Sequence, residues 1–163
     1  MSLRANLIAQ YMPDSGPAFP GTTTDSLGDV FVSGATPLTG PWPILEFSAL
    51  ASGNLQTASF GSDASGVAIG PDGNLYVPNF NALIDVYLPS AFHNGGTKDH
   101  SIALPSGIAP GAIAFDSTHT LLVIGAKGSV LPTLYLLSLP PPYSVVSTMV
   151  QIASDSSSIA IAP

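Results

Sequence analysis

The chain has 163 residues, ten acidic and three basic side chains, a formal net charge of −7, 16 Gly, 16 Pro and no Cys. That length suits one domain with a real core, and 45% hydrophobic residues argue against wholesale disorder. Only 8% of residues are charged, which leaves too few polar helix formers for a mainly helical protein and too few cations to neutralise a nucleic-acid backbone.

Near the N-terminus Arg4 is followed by no apolar run long enough for a signal peptide, and residues 6–12 read as the outer strand of a preceding four-strand unit. A surface rich in Ser, Thr, Gly and Pro and poor in charge fits an extracytoplasmic or secreted bacterial protein. The absence of Cys removes both a disulfide framework and a thiolate metal site.

From residue 22 a pattern begins. Thr22-Thr23-Thr24-Asp25-Ser26-Leu27-Gly28-Asp29-Val30-Phe31-Val32 sets two short β-prone runs around a turn. The pattern returns as Gly66-Val67-Ala68-Ile69-Gly70-Pro71-Asp72-Gly73-Asn74-Leu75-Tyr76-Val77. There Pro-Asp-Gly-Asn is a hairpin signal, because Pro presets φ while Gly and Asn accept positive φ. It recurs at Ala112-Ile113-Ala114-Phe115-Asp116-Ser117-Thr118-His119-Thr120-Leu121-Leu122-Val123 and begins again at Ile159-Ala160-Ile161-Ala162-Pro163. Thr22, Val67, Ile113 and Ile159 are spaced by 45, 46 and 46 residues.

Each hairpin is followed by a third strand (Pro43-Ile44-Leu45-Glu46-Phe47; Leu83-Ile84-Asp85-Val86-Tyr87; Leu134-Tyr135-Leu136-Leu137-Ser138) and by a weaker fourth at 55–60, 100–104 and 144–149. Four strands in about 46 residues is the size of one β-propeller blade. The later first strands carry Ala at their centres (Ala68, Ala114 and Ala160), which suits an innermost strand. The second strands are apolar on both faces, as a sheet covered on both sides requires. A β-sandwich is the competing all-β architecture, but it has no need of a 46-residue period. The expected fold is therefore all-β, with four-stranded propeller-type blades at 22–60, 67–104 and 113–149 and a further inner strand at 158–162. The apolar stretch 120–139 is interrupted by Gly125, Lys127, Gly128 and Pro132 and is no membrane helix.

The run from Gly66 to Val77, continued by Asn79, Asn81 and the strand Leu83 to Tyr87, resembles the blade core of NHL-repeat and SMP-30/lactonase-like propellers. The likeness is good for 66–104, fair for 112–149 and poor for 22–60. It implies a propeller fold, whereas members of these families include hydrolases, lyases, scaffolds and ligand binders. Three blades do not close a ring that usually takes about four to eight. The expectation is either a segment of a longer propeller or self-association that completes the ring.

In a propeller the ligand face is built from the loops between blades and those between second and third strands: 61–65, 105–111, 33–43, 78–81 and 125–132. Asp63, Asn79, Asn81, Trp42 and Lys127 are their candidate ligand-binding residues, Trp42 for stacking on a sugar or peptide. A Ca2+-like cation would take oxygens from Asp63, Asn79 and Asn81, against a plain turn role for the two Asn. The Glu, Asn and Asp set implied by the SMP-30 resemblance is not reproduced, because the single Glu, Glu46, falls on a third strand. No catalytic residue stands out. His93, His100 and His119 are scattered, no Gly-x-Ser-x-Gly elbow occurs, and Asp72, Gly73 and Asn74 read as a turn rather than a Ca2+ loop. The expected role is a binding or scaffold module without cofactor, with a protein, small-molecule or sugar ligand. The alternative is a piece of a divalent-metal-dependent lactonase-type hydrolase or lyase.

Overall fold

A computed structural model describes residues 21–33, 44–47, 59–60, 66–79, 81–92, 96–104, 108–116, 120–127, 133–137 and 145–149. The described strands form three four-stranded antiparallel sheets, each laid down in chain order. Sheet 1 holds β1 (Thr22–Thr24), β2 (Val30–Ser33), β3 (Ile44–Phe47) and β4 (Ser59–Phe60). Sheet 2 holds β5 (Ala68–Ile69), β6 (Leu75–Asn79), β7 (Leu83–Tyr87) and β8 (His100–Ala103), with a one-turn helix α1 (Pro89–Phe92) between the last two. Sheet 3 holds β9 (Ile108–Phe115), β10 (Leu121–Lys127), β11 (Thr133–Leu137) and β12 (Val145–Met149). The all-β expectation and the four-strand grouping thus hold for the described residues, while the expected strands 6–12 and 158–162 lie outside them.

The 46-residue period reappears as hydrogen bonding. Each first hairpin is closed by the same backbone pair: Asp25 N donates to Asp29 O, Gly70 N to Asn74 O and Asp116 N to Thr120 O. A carboxylate reinforces each turn. Asp25 accepts from the N–H of Leu27 and Asp29, and Asp116 from Thr120 N–H. In the middle copy Gly70 replaces that Asp, and Asp72 takes over, accepting from Asn74 N–H, Asn74 Nδ2 and the Tyr76 hydroxyl. Gly73, at φ 79°, supplies the left-handed step that the Pro-Asp-Gly-Asn reading requires.

Every residue of β6 is buried, because sheet 2 lies between the other two, and every residue of β2 is buried as well. Successive strand residues point to opposite faces. One face of sheet 2 contributes Val67, Leu75, Val77 and Tyr87, which cluster with Phe31 and Ile44 of sheet 1 and with Phe92 of α1. The other contributes Ala68, Tyr76, Ile84, Val86 and Ile102, which cluster with Ile113 and Leu137 of sheet 3. Two edge-to-face ring pairs cross the layers: Phe31 with Phe92 at 5.0 Å and Tyr76 with Phe115 at 4.9 Å. Each fully buried side chain of this size stabilises the stack by about 1.5–3 kcal/mol.

The first strands touch in succession, β1 against β5 and β5 against β9. Their backbones approach so closely that glycine is required. A Cβ on Gly21 would stand 2.9 Å from Val67 N, and one on Gly66 would stand 2.9 Å from Gly111 O. Gly21, Gly66 and Gly111 are themselves 45 residues apart. Thr23 Oγ1 adds a bond between sheets by accepting from Ile69 N–H at 3.3 Å. Gly66→Ala, which drives a methyl group into a rigid backbone carbonyl, is expected to cost about 1–3 kcal/mol in denaturant unfolding. An unchanged midpoint would mean that the sheets are not held at this separation.

Candidate functional site

Ser33 at the end of β2 pairs with the chain just before β1, since Ser33 N–H donates to Gly21 O and Gly21 N–H to Ser33 Oγ. Pro78, near the end of β6, lies against Gly66, and Lys127, at the end of β10, pairs with Ile108. Because the glycine-lined starts of the first strands sit together, the ends of the second strands gather at the same end of the stack. Asn79 at the end of β6, Asn81 just beyond it and Lys127 at the end of β10 therefore lie at that end. Trp42 and Asp63 lie outside the described residues.

Two local expectations need correction. Residues 108–111 and 125–127 belong to β9 and β10 rather than to loops, because a register shift between Val123 and Gly125 lets the hairpin continue to Ile108↔Lys127. Asn79 is the last residue of β6 and is buried. The left-handed residue of the following turn is Ala82, at φ 58°, and neither Asn.

Asn79 belongs to a polar cluster centred on Asp85 of β7. Asn79 Nδ2 donates to Asp85 Oδ2 at 2.9 Å, while its Oδ1 accepts from Asn81 N–H at 2.9 Å. Asp85 Oδ1 accepts from Ser101 Oγ at 2.6 Å and from Lys98 Nζ at 2.9 Å. Register explains the assembly. Val77, Asp85 and Ser101 are cross-strand partners on β6, β7 and β8, so they share the face turned towards sheet 1. Lys98, 45% exposed, reaches in from the connection before β8 to a carboxylate only 10% exposed.

Burial by itself pushes the Asp85 carboxyl up, but the bonds from Ser101, Lys98 and Asn79, with the Lys98 charge, outweigh it and hold the carboxyl below its usual 3.8. Tyr87 on the same face is pushed up to about 12, first by burial and then by the Asp85 charge. Glu46, paired with Phe31 on the face of sheet 1 turned to sheet 2, is also buried. The layer between sheets 1 and 2 therefore holds both Asp85 and Glu46. His100 instead pairs at the surface with Asp99, at 2.9 Å. His93 and His119 lie outside the described residues.

Asp85 had a sequence signal of its own, a single carboxylate inside the apolar run Leu83-Ile84-Asp85-Val86-Tyr87. A charge in a strand covered on both faces demands partners. Asp85 accepts from three donors, and both polar atoms of the Asn79 side chain are engaged. Among the described residues no group of three or more His, Asp or Glu is disposed to hold a metal ion, and no helix is long and apolar enough to cross a membrane.

Because its folded pKa lies below the usual value, Asp85 stabilises the fold above pH 3.8, and the contribution is lost as pH falls through the lower folded value. Urea unfolding across about pH 5 to 2 should show this loss, and Asp85→Asn should flatten it. Asp85→Ala, which strips three donors of their acceptor, is expected to cost about 1.5–3 kcal/mol at neutral pH.

No family model and no curated protein matches this chain. Among solved structures it is similar to a protein of unknown function from Bacteroides caccae, at 20% identity and a TM-score of 0.50, over 83% of this chain and 48% of that one. The chain thus spans about half the length of that neighbour, and the likeness is one of fold.

Proposed function

We propose that the three sheets are successive blades of a propeller-type array of the NHL-repeat kind, and that the chain serves as a ligand- or protein-binding scaffold rather than an enzyme. The observation that supports this most is the succession of first strands, β1 against β5 against β9, with a glycine at each close approach. Strands converging in this way build an axis, and the loops around one end of it form a shallow face made from every blade. Asn81 and Lys127 lie at that end, and a protein, small-molecule or sugar ligand suits its low charge. Trp42 and Asp63 join them in this reading. An extracytoplasmic location and completion of the array by further blades belong to the same proposal.

The hydrogen-bonded Asp85 cluster favours a structural role for Asn79 over metal ligation. A bound cation would have to share the Asn79 oxygen with Asn81 N–H. In the scaffold reading, neither EDTA nor millimolar Ca2+ changes the melting temperature. A cation at a hundredfold excess over its Kd would add about 2.7 kcal/mol of stability. A clear rise with Ca2+ that Asn79→Ala and Asp63→Ala remove would transfer support to the metal-dependent hydrolase or lyase. Ligand panels followed by amide chemical shifts should perturb Asn81 and Lys127. Shifts confined to the opposite turns at Asp72 and Asp116 would overturn the assignment of the face.

A further inference from the structure

The hairpin β5–β6 is fastened differently from its two counterparts. In β1–β2 and β9–β10 the turn carboxylate is Asp25 or Asp116, and each is followed by Ser. In β5–β6 Gly70 takes that place and the carboxylate moves to Asp72, which is followed by Gly73 and forms the only Asp-Gly pair of the chain. Among Asp-X bonds Asp-Gly rearranges most readily, because glycine has no Cβ to shield its nitrogen. The Gly73 nitrogen attacks Asp72 Cγ, and the carboxyl hydroxyl leaves with the amide proton as water, closing a five-membered succinimide. Water then reopens the ring. Attack at the main-chain carbonyl of Asp72 leaves an isoaspartyl linkage through Cγ, and attack at Cγ restores Asp72. One water is released and one consumed, so the change is an isomerisation.

The folded turn engages both reacting groups elsewhere. Gly73 N–H donates to Gly70 O at 2.9 Å. Asp72 Oδ1 accepts from Asn74 N–H at 3.1 Å, and Oδ2 accepts from Asn74 Nδ2 at 2.8 Å and from the Tyr76 hydroxyl at 2.9 Å. Tyr76 is itself buried, with its ring edge-to-face on Phe115, so its hydroxyl is a fixed donor. Asp72 is exposed, and solvent reaches it. Ring closure needs Cγ brought over the Gly73 nitrogen in a near-attack geometry, which takes the carboxylate off these donors and the nitrogen off Gly70.

We propose that Asp72-Gly73 is a site of spontaneous isoaspartate formation gated by the fold: the succinimide closes only when the hairpin opens and the Asp72 carboxylate leaves Asn74 and Tyr76. Such local opening costs less than global unfolding. The isoaspartyl linkage adds a carbon to the main chain of the turn and takes the carboxylate from the place that Asn74 and Tyr76 address, so the modified hairpin opens more readily than its parent. The inference needs only β5–β6 and stands whether or not the sheets are propeller blades.

The unmodified chain, aged in warm neutral buffer with and without guanidinium chloride, tests the gate. Peptide mapping must locate the isoaspartate, to separate residue 72 from product formed at Asn94-Gly95. The native chain should accumulate it at residue 72 at least about tenfold more slowly than the unfolded chain. Tyr76→Phe, which keeps the ring and removes one donor, should raise the native rate at least about threefold and leave the unfolded rate unchanged. Should Tyr76→Phe fail to fold, Asn74→Ala removes the other side-chain donor and takes its place. Equal rates in native and unfolded chains overturn the proposal, as does an unfolded chain that forms no isoaspartate at residue 72. So does a folded donor variant that ages at the parent rate.

Discussion

The close approach of the three first strands is the constraint on which the rest of the structure depends. Sheets with two apolar faces are stable only when both are covered, and here the cover of one sheet is the face of the next. Bringing β1, β5 and β9 into contact sets the spacing at that edge, and backbone atoms rather than side chains meet there. Gly21 and Gly66 stand where a Cβ would come within 2.9 Å of the neighbouring backbone. Away from that edge the gap is filled by larger groups, by Phe31 with Phe92 on one side of sheet 2 and Tyr76 with Phe115 on the other.

Such a stack leaves few places for charge, and the chain uses its carboxylates sparingly. Asp25, Asp72 and Asp116 each fasten a first hairpin through backbone N–H groups. Where Gly70 replaces the acid of the other two copies, the space is taken by Tyr76 and Asp72, whose atoms would lie 2.6 and 2.7 Å from a Cβ on that residue. The substitution moves the carboxylate two residues along the turn and keeps the closing bond. Asp85 is the departure from this pattern. Leu45 and Tyr135 occupy the corresponding places in the ladders of sheets 1 and 3, opposite Val32 and Val123. A charge there requires Asn79, Ser101 and Lys98 to converge on it, so the middle sheet has its own polar staple where its neighbours carry larger or apolar groups.

The period, the hairpin turns and the two-faced burial of β2 and β6 were legible in the residues, because each rests on local chemistry. Positive φ belongs to Gly73, turn bonds to Asp or Asn, and apolar residues on both faces to a covered strand. The glycine spacing at 21, 66 and 111 was equally visible, but a glycine has no side chain to announce a close approach, and only the neighbouring sheet gives it meaning. Asn79 and Asn81 read locally as turn residues, yet the ladder continues through Asn79 and leaves the left-handed step to Ala82. The register shift in β10 similarly carried Lys127 from an expected loop into a strand.

By itself the sequence determined an all-β chain of recurring four-strand units, since hydrophobic period and turn chemistry act over a few residues. Tertiary structure alone decided which residues of different strands share a face. Cross-strand register is a long-range property: it placed Ser101 opposite Asp85, sixteen residues away in the chain, and Glu46 in the same buried layer. No local pattern records that juxtaposition, because it exists only once the sheets have paired and stacked.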